Sequence, residues 1–128
     1  MTVVVDASAL IDALLIDGPA RARLSSASLH APELIDAEVL SVLRRLVLAG
    51  SLAEADGLRA LDAASQLGLR RHPIRDLCKR AWQLRANLSA YDALYAALAE
   101  RIAAPLLTAD ARLARAPGVG CSVVLLEG

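Results

Sequence analysis

Phenylalanine is absent from this sequence of 128 residues, and the other aromatics reduce to Trp82, Tyr91 and Tyr95. Any core is therefore filled by Leu, Ala and Val rather than by rings. The two cysteines, Cys78 and Cys121, match no zinc or redox spacing, and nothing argues for a disulfide. No Gly-rich phosphate loop of either common type occurs, which argues against a nucleotide-binding domain. No apolar run approaches the roughly 18 residues needed to span a bilayer. The N-terminal MTVVVDAS lacks the basic start and long apolar stretch of a signal peptide, so the chain is expected to be soluble and cytoplasmic. An excess of either charge is missing too: 14 basic and 14 acidic residues cancel. A constitutive nucleic-acid coat would be strongly basic, so any such contact here uses a local patch.

What is present is apolar: 56% of residues are hydrophobic and 22% charged, which excludes disorder. The length fits one domain, residues 1–128, large enough to bury a core without staples. All 14 basic residues except Lys79 are Arg. Arg suits phosphate through its planar fork, although a GC-rich genome enriches both Arg and Ala as well.

Short apolar runs alternate with helical patterns. Val3–Val5 reads as a buried strand, followed by a helix over Ala7–Leu15. Pro19 opens a helix over about Ala20–Ser26, and His30-Ala31-Pro32 reads as a break. Helices are expected over Glu33–Ala49, closed by Gly50, over Ala53–Gln66, over Ile74–Arg85, and from Ser89 to about Ala103. Leu69–His72, Leu106–Thr108 and Ser122–Leu126 read as strands, with a helical turn at Asp110–Ala114. This alternation indicates an α/β fold with a parallel sheet covered on both faces.

In such folds ligands bind beyond the C-terminal ends of the strands. Asp6 follows the first strand, and Asp110 follows Leu106–Thr108. Glu38 and Asp92 border the apolar stripes of their helices, where an unpaired charge is costly. A cation shared among these acids would serve as their partner. Each also has a plainer reading. Asp6 and Asp110 fit helix caps, Ser89-x-x-Asp92 fits a capping box, and Glu38 fits a surface charge.

Four blocks carry a resemblance: VVVDASALIDALL at 3–15, PELIDAEVLSVLRR at 32–45, LSAYDALYAALAE at 88–100 and LLTADARLARA at 106–116. In this order they resemble the PIN-domain nucleases and, within them, the VapC toxins of bacterial toxin–antitoxin pairs. The resemblance covers nearly the whole chain and is weakest over 50–87. It implies a three-layer α/β/α fold around a short parallel sheet of about four to five strands. It implies that Asp6, Glu38, Asp92 and Asp110 form a Mg²⁺ or Mn²⁺ site, with Ser8 and Thr108 as hydroxyl positions lining it. It further implies hydrolysis of RNA to a 5′-phosphate and a 3′-hydroxyl, a cognate VapB-type antitoxin, and a homodimer.

The chemistry agrees with the residue types. Hard divalent cations prefer carboxylate and water oxygens, and His30 and His72 are isolated in sequence and read as structural or surface residues. Asp6 and Asp92 are expected as the core ligands. Glu38 and Asp110 either complete the shell through water or hold the attacking water. One or two ions fit equally. Positive charge for the substrate is expected from the stretch Arg70, Arg71, Arg75, Lys79, Arg80 and Arg85, and from Arg112 beside Asp110. Arg45 falls on the same side of its helix as Glu38, where it either pairs with it or touches phosphate. The leucine-rich 53–66 helix is consistent with a groove for a partner. The competing readings are a phosphotransfer or non-catalytic α/β domain using Asp6, or a PIN nuclease outside any toxin–antitoxin pair.

Overall fold

A computed structural model describes residues 1–126. Five parallel strands form one sheet: β1 (Thr2–Val5), β2 (Ser28–Pro32), β3 (Arg70–His72), β4 (Leu106–Thr108) and β5 (Val123–Leu125), in the order β3-β2-β1-β4-β5. The helices are α1 (Ala7–Leu15), α2 (Pro19–Ser25), α3 (Ile35–Leu48), α4 (Glu54–Gln66), α5 (Cys78–Gln83), α6 (Ala90–Ile102) and α7 (Ala111–Ala114). Val3, Val4 and Val5 are fully buried, as befits a central strand covered on both faces.

From β1 the chain winds outward to β2 and β3, then returns to lay β4 on the other side of β1. Right-handed crossovers require the helices before and after such a reversal to cover opposite faces. α1–α4 accordingly pack against one another, while α6 packs on β1 and β2 together with α5. The reversal opens a crevice between the C-terminal ends of β1 and β4. α6 can lie close to the sheet because its inner positions are largely alanine; Ala93, Ala96, Ala97 and Ala99 are buried with Leu94, Tyr95 and Leu98.

Two local expectations need correction. His30-Ala31-Pro32 is not a break but the end of β2, which lies between β1 and β3. The ladder skips the imino nitrogen of Pro32 and resumes at Glu33, whose N–H donates to His72 O at 2.8 Å. The expected 74–85 helix is shorter and divided: a 3-10 turn at Arg75–Leu77 leads into α5. The two histidines meet across β2 and β3, with His30 Nδ1 and His72 Nε2 hydrogen-bonded at 2.9 Å. Burial, then the positive groups around it, lowers the His72 pKa.

Gly50 closes α3 with φ +79°, as its position after the helix predicts. Ala103 does the same for α6 at φ 53°, where an L side chain is strained. Ala103 is exposed, so Ala103→Gly is expected to stabilise the protein by about 0.5–1 kcal/mol in urea unfolding. An unchanged or lower midpoint would contradict the strain.

Farther along, Glu100 ties α6 to α5 and to the loop before β5. It accepts from Arg80 Nε (2.6 Å), Arg80 Nη2 (3.1 Å) and the Gly120 N–H (2.7 Å). The Arg80 hydrogen bonds hold the Glu100 pKa below the usual carboxylate range, against the effect of burial. A depressed carboxyl pKa gives stability that is present above the unfolded-state value and lost as pH falls through the folded value. Glu100→Gln therefore lowers the urea midpoint near pH 7, and the gap to wild type closes below about pH 4. A gap of equal size at both ends of that range would show that the ionised carboxylate is not responsible.

Candidate active site

The crevice at the reversal is a cavity of about 360 Å³ lined by Asp6, Glu38, Asp92 and Asp110. These acids come from four segments. Asp6 follows β1 and caps α1, Glu38 lies in the first turn of α3, Asp92 in the first turn of α6, and Asp110 follows β4 and caps α7. The capping readings of Asp6 and Asp110 hold at the same time, and the Ser89–Asp92 box forms by half: Asp6 Oδ1 accepts from the Ala9 N–H (2.9 Å) and Asp110 Oδ1 from the Arg112 N–H (2.9 Å). Ser89 Oγ accepts from the Asp92 N–H (3.3 Å). Capping and membership of the cavity are compatible, because a cap needs one lone pair of a carboxylate that offers several.

Asp6 is held most firmly and is only 5% exposed. Ser8 Oγ donates to its Oδ1 at 2.7 Å, and Thr108 Oγ1 donates to its Oδ2. Each hydroxyl also accepts a backbone N–H from the loop after β4, Ser8 from Ala109 and Thr108 from Asp110, both at 3.0 Å. Thr108 is fully buried and lies beneath the cavity, joining two of its acids; Ser8 lines the wall.

Burial raises the pKa of Asp6, Glu38 and Asp92. Neighbouring carboxylates push in the same direction: Asp92 on Asp6, Asp92 and Asp6 on Glu38, and Asp110 on Asp92. Tyr95 stands beneath Glu38 and is 1% exposed. Its phenol favours the Glu38 carboxylate, yet the two stop short of hydrogen-bond geometry, since Glu38 Oε1 and Tyr95 Oη are both buried without a partner. Burial, then the charge of Glu38, drives the Tyr95 pKa strongly upward, so this phenol stays protonated.

A buried carboxylate oxygen without a donor, in a cavity of mutually repelling acids, fits a hard divalent cation. The acids line the cavity without closing on a point, and no three metal-binding side chains among the described residues converge on one. Mg²⁺ is commonly held by one or two carboxylates and retains several waters, so such a spread suits it.

Besides apolar Ala7, Ile11 and Val42, three more residues with polar groups line the cavity: Asp12, Tyr95 and Arg45. Asp12 escaped the sequence reading, although it lies four residues after Ser8 on the same face of α1. Tyr95 lies three residues after Asp92 on α6, one turn along the same face. The expected basic stretch does not reach the acids. Arg71 pairs with Asp36, Arg80 with Glu100, and Arg85 stacks over Trp82 at 4.5 Å. Arg112 lies 3.6 Å from Asp110 but points outward, with its side chain 88% exposed.

A parallel α/β sheet with carboxylates gathered at its topological switch point is the setting of a cation-assisted hydrolase or phosphotransfer enzyme. A model of the PIN domain matches residues 3–119. Ribonuclease VapC9 of Mycobacterium tuberculosis is 47% identical over 124 residues, covering 97% of this chain and 98% of that one. The solved structure of VapBC2 from Rickettsia felis, bound to a DNA fragment from their promoter, superimposes with a TM-score of 0.73 at 15% identity, covering 99% and 100% of the two chains. A toxin–antitoxin complex from Klebsiella pneumoniae superimposes with a TM-score of 0.68 at 22% identity, covering 95% of each chain. The chain belongs to the PIN-domain family and, within it, to the VapC ribonucleases, the toxins of type II toxin–antitoxin pairs.

Proposed function

We propose that Asp6, Glu38, Asp92 and Asp110 hold Mg²⁺ or Mn²⁺ and hydrolyse RNA phosphodiesters, and that a VapB-type antitoxin restrains this activity. The observation that carries the reading is the meeting of four acids, from segments as far apart as β1 and α7, in one cavity at the ends of β1 and β4. A divalent cation bound there supplies neutralisation of the phosphate and acidification of a water.

The chain's own groups do the rest. Asp6 is fixed by two hydroxyls and a backbone N–H, so it serves as a rigid ligand. Asp92, in the first turn of α6, lines the same cavity and is near enough for its charge to act on Asp6. Glu38 has one oxygen buried without a partner; through its other oxygen it would accept a proton from the attacking water or bind the ion's water shell. The protonated Tyr95 lies close by with its hydroxyl unpartnered, so a small shift would let it donate to Glu38. Asp110 is committed to its cap through Oδ1 and has its second oxygen for a water. The products are a 5′-phosphate and a 3′-hydroxyl.

For the antitoxin, apolar grooves are at hand. One of about 270 Å³ runs between α1, α2 and α4, past Leu10, Leu14, Leu24 and Leu67. A basic side chain on the antitoxin tail would neutralise the acids as a cation does. A homodimer completes the proposed assembly. The test is expression with and without a candidate VapB-type antitoxin. Growth arrest and mapped RNA cleavage only in its absence support the reading; absence of arrest together with absence of metal-dependent cleavage overturns it.

A further inference from the structure

Among the described residues, Arg45 is the one cation lining the cavity of acids. It is exposed, and no described carboxylate lies within ion-pair distance of it, although Asp12 and Glu38 share the same cavity. An unpaired surface arginine is not costly in itself, because exposed ion pairs contribute little. Its place is what matters. Arg45 follows Glu38 by seven residues on α3, which is about two helical turns, on the same face and about 10 Å along the axis. Its backbone is therefore displaced from Glu38 while its side chain still lines the cavity. Arg112 lies beside Asp110 and outside the lining.

A phosphodiester strand drawn into the cavity would meet its acids with Arg45 as the one described cation in the lining, Arg112 standing outside it beside Asp110. We propose that Arg45 binds a backbone phosphate flanking the scissile one and so sets the register of the RNA strand over the four acids. The inference rests on the ribonuclease reading above and deepens it by naming a substrate contact. The planar fork binds two phosphate oxygens at once, which an ammonium cannot do. A contact made equally in the ground and transition states lowers KM without raising kcat.

The alternative role for Arg45 is structural: a positive charge in the last turn of α3 favours the helix dipole. Arg44 provides the control, since it is exposed on the same helix and does not line the cavity. The experiment uses the full chain with Mg²⁺ and a short fluorescein-labelled single-stranded RNA of mixed sequence. Cleavage kinetics are measured for wild type, Arg45→Ala, Arg45→Lys and Arg44→Ala. RNA affinity is measured by anisotropy on an Asp6→Asn background over a range of salt, and circular dichroism melting checks the fold of each variant.

The expected result for Arg45→Ala is a rise of about 10-fold in KM and in RNA Kd, with kcat within about twofold of wild type. The salt slope of binding is expected to fall by about 0.7, the single-strand increment for one lost phosphate contact. Arg45→Lys recovers part of the affinity, and Arg44→Ala has the smaller effect. Unchanged affinity in Arg45→Ala, equal losses in Arg44→Ala, or a fall in kcat at constant KM each overturn the proposal. Wild type that cuts RNA while Arg45→Ala matches it refutes only the Arg45 contact. Wild type that neither binds nor cuts the RNA defeats the ribonuclease reading and this inference together.

Discussion

Asp6→Asn removes RNA cleavage, by about 10³-fold or more, and leaves the fold standing. The loss follows from withdrawing the best-held anionic oxygen from a site that depends on a cation, where metal stabilisation of the reacting phosphate is worth several kcal/mol. The intact fold follows from the hydrogen bonds. Asn caps helices as well as Asp, so its Oδ1 still accepts from Ala9 and α1 keeps its start. The amide group facing Thr108 donates where the carboxylate accepted. The Thr108 hydroxyl can then turn its proton to Ser8 Oγ, 3.3 Å away. Burial and neighbouring Asp92 already disfavour the Asp6 charge, so a neutral amide offsets part of any lost bonding. The thermal midpoint should stay within about 1 kcal/mol of wild type in stability terms. A variant that melts far below wild type would make lost cleavage uninformative, and Asp92→Asn, on a more exposed helix turn, then provides the same test.

Thr108→Val should impair both stability and activity although it touches no substrate. Valine has the shape of threonine and suits a central strand. It removes the donor to Asp6 Oδ2 and the acceptor for the Asp110 N–H in one step. Two buried or half-buried polar groups lose partners, at a cost of about 1–2 kcal/mol. Because those groups belong to two of the four acids, activity is expected to fall about 10- to 100-fold, the usual effect of removing a group that orients a metal ligand. Thr108→Ser, which keeps the hydroxyl, should recover most of the activity while remaining slightly less stable. A Thr108→Val protein as active as wild type would show that the hydroxyl bridge does not position the acids.

The parallel sheet and the meeting of the acids were legible because both follow from local pattern. Val3–Val5 and Leu106–Thr108 are short apolar runs ending in or near an acid, and parallel strands with crossover helices bring such ends together. β2 was not legible, since Ser28-Leu29-His30-Ala31-Pro32 has no β-branched residue and ends in proline; its pairing comes from β1 and β3 on either side. The His30–His72 contact depends on that pairing and was hidden with it. The division of the 74–85 segment into a 3-10 turn and α5 leaves no clear mark in hydrophobic periodicity.

Within the site, Asp6 and Asp110 stood out by their places after strands, and Glu38 and Asp92 by the edges of apolar helix stripes, whereas Ser8 and Thr108 came only with the family resemblance. Charge density in sequence misled about the arginines. Arg71 and Arg80 are taken up by Asp36 and Glu100, partners 35 and 20 residues away, while Arg45, which helical spacing set beside Glu38, is the guanidinium left at the cavity.

The central claim is that the four acids act through a bound divalent cation on RNA. Its most direct test is cleavage of a labelled RNA by the purified chain, first stripped with EDTA and then titrated with Mg²⁺ or Mn²⁺, beside Asp6→Asn. The expected result is no cleavage in EDTA, recovery as either ion is added, and no recovery in Asp6→Asn. Cleavage at the same rate in EDTA, or full recovery in Asp6→Asn, would contradict it.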